Sequence, residues 1–158
     1  MKKGTISILS TILGAAVGVG ATGKSMGKTA RRAQNMSDKH LALFLMMNQW
    51  VKVKQEGKNL EDYFRKNNYG TIAIYGMSYA GERLCEELKG STIDIKYAID
   101  KNASSLYSDV EILTPEDALE EVDAIVVTPI FFMDEIEDML SQKVDCPIVS
   151  LEDILYEI

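Results

Sequence analysis

The sequence predicts an α/β protein: a doubly wound parallel sheet of about five strands, preceded by an uncharged N-terminal helix and an amphipathic helix. Three observations carry this. Thr71 to Leu88, TIAIYGMSYAGERLCEEL, runs from a β-branched apolar segment through Gly76 and Gly81 into a helical period, with Ala80, Leu84, Cys85 and Leu88 on one face. Strand, glycine turn and helix in that order open the α/β folds that hold nucleotides. Beyond it, short apolar runs alternate with helical patterns, which implies parallel pairing through right-handed crossovers. Finally, 158 residues suffice for one ordinary domain and an appendage.

The appendage comes first, as residues 1–36. Gly4 to Gly23 carries no charge, and about twenty residues is what a helix needs to cross the hydrocarbon core. Gly14 and Gly18 form a GxxxG pair of the kind that lets membrane helices pack. Lys24, Lys28, Arg31 and Arg32 follow the stretch and outnumber Lys2 and Lys3 before it, which places the C-terminal body in the cytoplasm. A single-pass anchor is the preferred reading. A cleaved signal peptide and an interfacial or buried helix are the alternatives. Gly18, Gly23, Lys24 and Ser25 also match the phosphate-cradling pattern G-x-x-x-x-G-K-[ST]. That loop needs a core strand before it and, within a domain of matching size, an apolar strand ending in a magnesium-binding Asp. The next strand instead opens a different nucleotide fold, so the match is set aside.

Residues 37–68 read as a helical connector. Ser37 is a suitable N-cap for a helix from Asp38 to about Glu56, closed by Gly57. Leu41, Phe44, Leu45, Met47, Trp50 and Val51 make its apolar face so broad that the domain body, a second subunit or the bilayer must cover part of it. The 38–56 helix and the Gly14/Gly18 pair are therefore the candidate sites of self-association. Asn59 caps a short helix, LEDYFRKN, and Asn67 to Gly70 turns into the first strand.

The domain proper spans 69–158. After the first strand and helix, Ile93 to Ile99 is a second strand ending at Asp100, and Val110 to Leu113 a short edge strand. Thr114-Pro115-Glu116-Asp117 has the cap, proline and acids of a helix start. Val122 to Thr128 is a central strand. Phe132, Met133, Ile136, Met139 and Leu140 form the buried face of the next helix. Ile148 to Leu151 is the last strand, and Glu152 to Tyr156 a closing turn of helix.

Charge narrows the partners. Every charged residue before Asp38 is basic, whereas the rest holds all 24 acids and only 11 of the 17 bases. An acidic body excludes a nucleic-acid binder, and the basic front suits an anionic membrane surface. Cys85 and Cys146 lie in apolar contexts far apart, and His40 is the only histidine. No metal site or histidine-based triad follows from these.

In an open parallel sheet the ligand lies beyond the carboxyl ends of the strands, where strand order reverses. The crevice should be lined by Gly76 to Gly81 after the first strand and by Thr128 to Phe132 after the fourth, with Asp100 flanking it after the second. The candidate binding residues are Gly76, Ser78, Tyr79, Gly81, Asp100 and Thr128. Gly76 and Gly81 hold the outer places of G-x-G-x-x-G, with Ser78 in the middle. Asp100, 24 residues after Gly76, stands where a ribose-binding acid belongs and has no evident packing role. No catalytic residue is assigned. Tyr97 and Lys101 match Y-x-x-x-K, but that pair needs one helix and here straddles a strand end. The helix acids Glu82, Glu86, Glu87, Asp134, Glu135, Glu137 and Asp138 read as solvated faces.

IAIYGMSYAGERLCEEL, IKYAIDKNA, DAIVVT and CPIVSLEDIL together resemble the small Rossmann-like domains of bacterial surface-polysaccharide proteins. These are the N-terminal domains of sugar acyltransferases, the C-terminal domains of some sugar methyltransferases, and nucleoside-diphosphate-sugar epimerase-like domains. The resemblance covers about residues 68–158. It implies a sugar nucleotide at Gly76, Ser78, Gly81 and Asp100. The β-helix that performs acyl transfer in such proteins is missing from the chain, as is a methyltransferase domain. The expected function is a membrane-tethered binding or regulatory module for a nucleotide or nucleotide-sugar in envelope polysaccharide synthesis. The alternative is an oxidoreductase or epimerase using bound NAD(P).

Overall fold

A computed structural model describes residues 31–158. The expected membrane span, the Gly14/Gly18 pair and the phosphate-loop match all fall outside these residues. Among the described residues, no helix is long and apolar enough to cross a membrane. The chain divides into two compact units, Met1–Leu41 and Ala42–Ile158. Residues 31–41 of the first are helical and mostly exposed, with Gln34 Nε2 donating to Asp38 Oδ1 one turn on (2.8 Å).

The second unit is a five-stranded, all-parallel sheet with strand order β3-β2-β1-β4-β5. The strands are β1 (Thr71–Tyr75), β2 (Asp94–Ile99), β3 (Ile112–Leu113), β4 (Ala124–Val127) and β5 (Ile148–Ser150). β1 is central, pairing Ile72 to Tyr75 with Ala124 to Val127 of β4 on one side and with β2 on the other. Strand order reverses between β1 and β4, so these two strands diverge to opposite halves of the sheet.

Alternation along each strand feeds two cores. Ile72, Ile74, Ala98, Ala124 and Val126 face one side, with Leu84 and Leu88 of α3 (Tyr79–Leu88) and Leu151, Ile154 and Leu155 of α5 (Leu151–Glu157). Ala73, Tyr75, Tyr97, Ile99, Ile125 and Val127 face the other, against Ile136 and Leu140 of α4 (Met133–Leu140). All four β4 residues are buried, which explains a continuous apolar strand rather than an alternating one.

Two helices precede the sheet. Residues 31–55 are helical (α1), so Ser37 lies inside a helical stretch rather than at its start. Charged and amide side chains at Arg31, Arg32 and Gln34 favour helix about as well as those beyond Ser37, which leaves nothing to stop the helix there. Its C-terminus does end at Gly57: Lys58 N–H reaches Val53 O and Gly57 N–H reaches Lys54 O, both 3.1 Å, satisfying two otherwise orphaned carbonyls. α2 (Leu60–Lys66) begins as predicted, with Asn59 accepting from Asp62 N–H.

Met46, Trp50 and Val53 of α1 bury into the core, while Phe44, Leu45 and Val51 stay exposed. Glu87 corrects the solvated-face reading of the helix acids. Its carboxylate accepts from Trp50 Nε1 (2.6 Å), Lys54 Nζ (3.0 Å) and Leu60 N–H (3.0 Å), tying α1, the start of α2 and α3 together.

The crossovers differ from expectation. Between β2 and β3 there is only a 3₁₀ turn, Ala103–Ser105. Between β3 and β4 the helix start at Thr114 is made but not continued: Asp117 accepts from the Thr114 amide and hydroxyl (2.7 and 2.8 Å), and then the chain runs irregularly. The segment Glu116 to Val122 offers few apolar side chains to bury, and four acids repel one another along it. Tyr97 Oη donates to Glu120 O (2.7 Å), fixing that irregular backbone in place of an intrahelical bond.

Candidate functional site

Gly76 ends β1 in the left-handed region, at φ +94°, where a side chain would be strained. Its N–H donates to Ile99 O (2.8 Å) and its carbonyl accepts from Thr128 Oγ1 (2.7 Å). The turn is thus pinned to both neighbouring strand ends. A Cβ on Gly76 would lie 2.7 Å from Pro129 Cδ, and one on Gly81 would lie 2.2 Å from Gly76 O. Gly81 therefore lets α3 sit directly on the turn, as the glycine pattern demands, while Gly76 lets the turn approach the segment that follows β4.

Thr128 is buried, and its amide donates to Tyr75 O (3.0 Å) while its hydroxyl is engaged by Gly76 O. It ties β4 to β1 rather than facing open space. Asp100 is likewise more than a strand-end acid. Oδ2 accepts from Met77 N–H (2.9 Å) and Oδ1 from Asn102 N–H (2.8 Å), so it shapes both the glycine turn and the following loop. The expectation that Asp100 has no packing role is overturned by these two bonds.

Ser78 is the N-cap residue of α3, yet its side chain makes no capping bond. The first-turn amides of Tyr79, Ala80 and Gly81 have no carbonyl within the helix to meet. Tyr79 itself is exposed.

A cavity of about 330 Å³ opens where the ends of β1 and β2 face α4. Tyr75, Gly76 and Ser78 line it from the turn, and Asp100, Lys101 and Asn102 from the end of β2. Pro129, Phe132, Ile136 and Met139 give it an apolar wall, with Glu135 at the rim. Three of the six predicted residues, Gly76, Ser78 and Asp100, come together here. Gly81 and Thr128 support the turn from behind, and Tyr79 lies outside the lining. Pro129 and Phe132 belong to the Thr128–Phe132 segment expected at the crevice; Ile136 and Met139 escaped the sequence reading because α4 reads as an ordinary packing helix. Ile136 does pack, but half-buried Met139 and exposed Phe132 reach past the core.

A larger groove of about 520 Å³ runs along the other side of α3, against Tyr107 to Val110. It marks the uncovered sheet beside the helix-free β2–β3 crossover. It lacks the strand-end loops that converge on the smaller cavity, which is therefore the candidate site despite its size.

Tyr75 stands out chemically. It is 4% exposed, and its hydroxyl is the one buried side-chain polar atom among the described residues without a hydrogen-bond partner. Burial first, then the charges of Asp100 and Glu116, push its pKa up. Tyr97 is pushed up to about 12, by burial and then by Cys146 and Glu120. Its bond to Glu120 O and its place within β2 remove it from the Y-x-x-x-K pairing with Lys101. Burial raises both thiols, Cys85 and Cys146, so neither is an activated nucleophile. Among the described residues no group of three or more His, Cys, Asp or Glu is placed to hold a metal.

Comparison with protein-family models, with curated proteins and with solved structures returns no significant match. Function must then be read from the cavity itself.

Proposed function

We propose that the protein is a binding module for a nucleotide or nucleotide-sugar, held at a membrane through residues 4–23. The observation that carries the ligand reading is the cavity at the strand-order reversal, apolar on the α4 side and polar on the turn side. A base fits against Pro129, Phe132 and Met139. Ribose hydroxyls fit Asn102 and the remaining lone pairs of Asp100, and a phosphate fits the α3 amides and Lys101. The uncharged stretch and the basic residues after it support the tether.

Calorimetric titration of UDP-sugars, NAD and ATP tests the ligand reading. At least one should bind, and Met139→Asp, which sets a carboxylate against the base, should weaken it at least tenfold with the fold intact by circular dichroism. If none binds the parent, the site reading is wrong. NAD(P) co-purifying with the protein would instead favour a dinucleotide enzyme. For the tether, recovery of the intact full chain in the soluble fraction of cells would refute it.

A further inference from the structure

We propose that Tyr75 reads the heterocycle of the ligand: the cavity takes a nucleobase that presents a ring nitrogen or carbonyl oxygen to the Tyr75 hydroxyl. The proposal rests on the nucleotide reading of the same crevice and adds to it a residue that selects among ring systems.

Tyr75 is the last residue of β1, at the point where the sheet opens into the cavity. Its ring fills core space beside Val127 and Ile136. Phenylalanine would fill that space equally well and carry no polar atom. The hydroxyl instead sits buried without a partner, an arrangement that costs stability unless a bound group supplies the missing acceptor. Asp100 and Glu116 lie near enough to raise its pKa, so at neutral pH the group is a phenol with a proton to donate. Asp100 does not take that proton: its oxygens accept from the Met77 and Asn102 amides, and the Tyr75 hydroxyl is within bonding reach of neither. The acceptor must come from outside the chain.

The surrounding wall narrows what that acceptor is attached to. Pro129, Phe132 and Met139 form an apolar face against which a flat ring packs, and the cavity volume suits a base. The hydroxyl is closed off from solvent, so a ring reaches it by parting the side chains above it. Phe132 and Met139, both partly exposed, line the same cavity and are placed to yield. Once the ring is seated, an acceptor edge meets the phenol in a dry environment, where a matched hydrogen bond discriminates strongly against a ring lacking one.

The test titrates AMP, CMP, GMP, UMP and ribose 5-phosphate into the parent and Tyr75→Phe by calorimetry, with thermal melting of both free proteins. At least one nucleotide should bind the parent more tightly than ribose 5-phosphate. Tyr75→Phe should bind that nucleotide roughly five- to tenfold more weakly. Its affinity for ribose 5-phosphate should be unchanged, and the free variant should melt no lower than the parent. Equal nucleotide affinity in parent and variant overturns the role of Tyr75 while leaving the nucleotide reading standing. So does ribose 5-phosphate binding the parent as tightly as every nucleotide, or a Tyr75→Phe protein melting well below the parent, since the hydroxyl would then have a partner in the free fold. A parent that binds none of the nucleotides overturns the nucleotide reading, and this inference with it.

Discussion

Replacing Gly81 by alanine should unseat the first helix from the turn beneath it. The added Cβ would lie 2.2 Å from Gly76 O, 3.1 Å from Gly76 C and 3.3 Å from Met77 Sδ. An ordinary carbon–oxygen contact is about 3.3 Å, so turn and helix must part by roughly 1 Å. The turn resists, because Gly76 is held through its N–H by Ile99 O and through its carbonyl by Thr128 Oγ1. Overpacking of this kind costs about 1–3 kcal/mol, and the contact distance argues for the upper end. Losing the Thr128 bond adds about 1 kcal/mol, while alanine's better helix propensity returns about 1 kcal/mol. The net loss should be about 3 kcal/mol. For a domain of this size that is a fall in melting temperature of about 10 °C. Urea denaturation followed by far-UV circular dichroism should show a lower midpoint at unchanged slope. A double variant with Thr128→Val should lose less than the sum of the two singles, because the turn is then free to yield. A Gly81→Ala protein that melts within 2 °C of the parent, a margin below about 1 kcal/mol, would refute the close-approach argument.

Other outcomes follow from the same geometry. Glu87→Gln leaves one acceptor where a carboxylate met three donors, so it should cost about 1–3 kcal/mol; denaturation followed by Trp50 fluorescence measures it. Asp123 accepts from Gly70 N–H, Thr71 N–H and Thr71 Oγ1, with the Thr71 bonds foremost in holding its pKa down. Its contribution is therefore fully present above the ordinary carboxylate pKa near 3.9 and lost as pH falls through the lowered folded value. The stability gap between parent and Asp123→Asn should be widest at neutral pH and close below about pH 4. Asn59→Ala removes the α2 cap and should cost about 1 kcal/mol, read from the urea midpoint.

The strands were legible because burial on both faces demands continuous β-branched runs, and Ile72 to Tyr75 and Ala124 to Val127 stand where those runs fall. The glycine turn was legible for a similar reason: Gly76 and Gly81 meet steric conditions that no other residue satisfies. Local chemistry likewise fixed the caps at Asn59 and Gly57, since their partners lie within a few residues.

What only the tertiary structure decided depends on distant partners. Glu87 looks like any helix acid until Trp50, Lys54 and Leu60 are folded onto it. Asp100 looks like a free strand-end acid until Met77 and Asn102 turn their amides toward it. The turn at Thr114 has every local mark of a helix start, yet a helix there lacks an apolar face to bury, and Tyr97 holds the following backbone elsewhere. The part that Ile136 and Met139 take in the cavity wall and the unpartnered Tyr75 hydroxyl belong to the same class. Periodicity assigns Met139 and Tyr75 to the core, where Tyr75 is buried and Met139 only half-buried, and only the packing of α4 against the end of β1 determines where that core stops short and leaves room for a ligand.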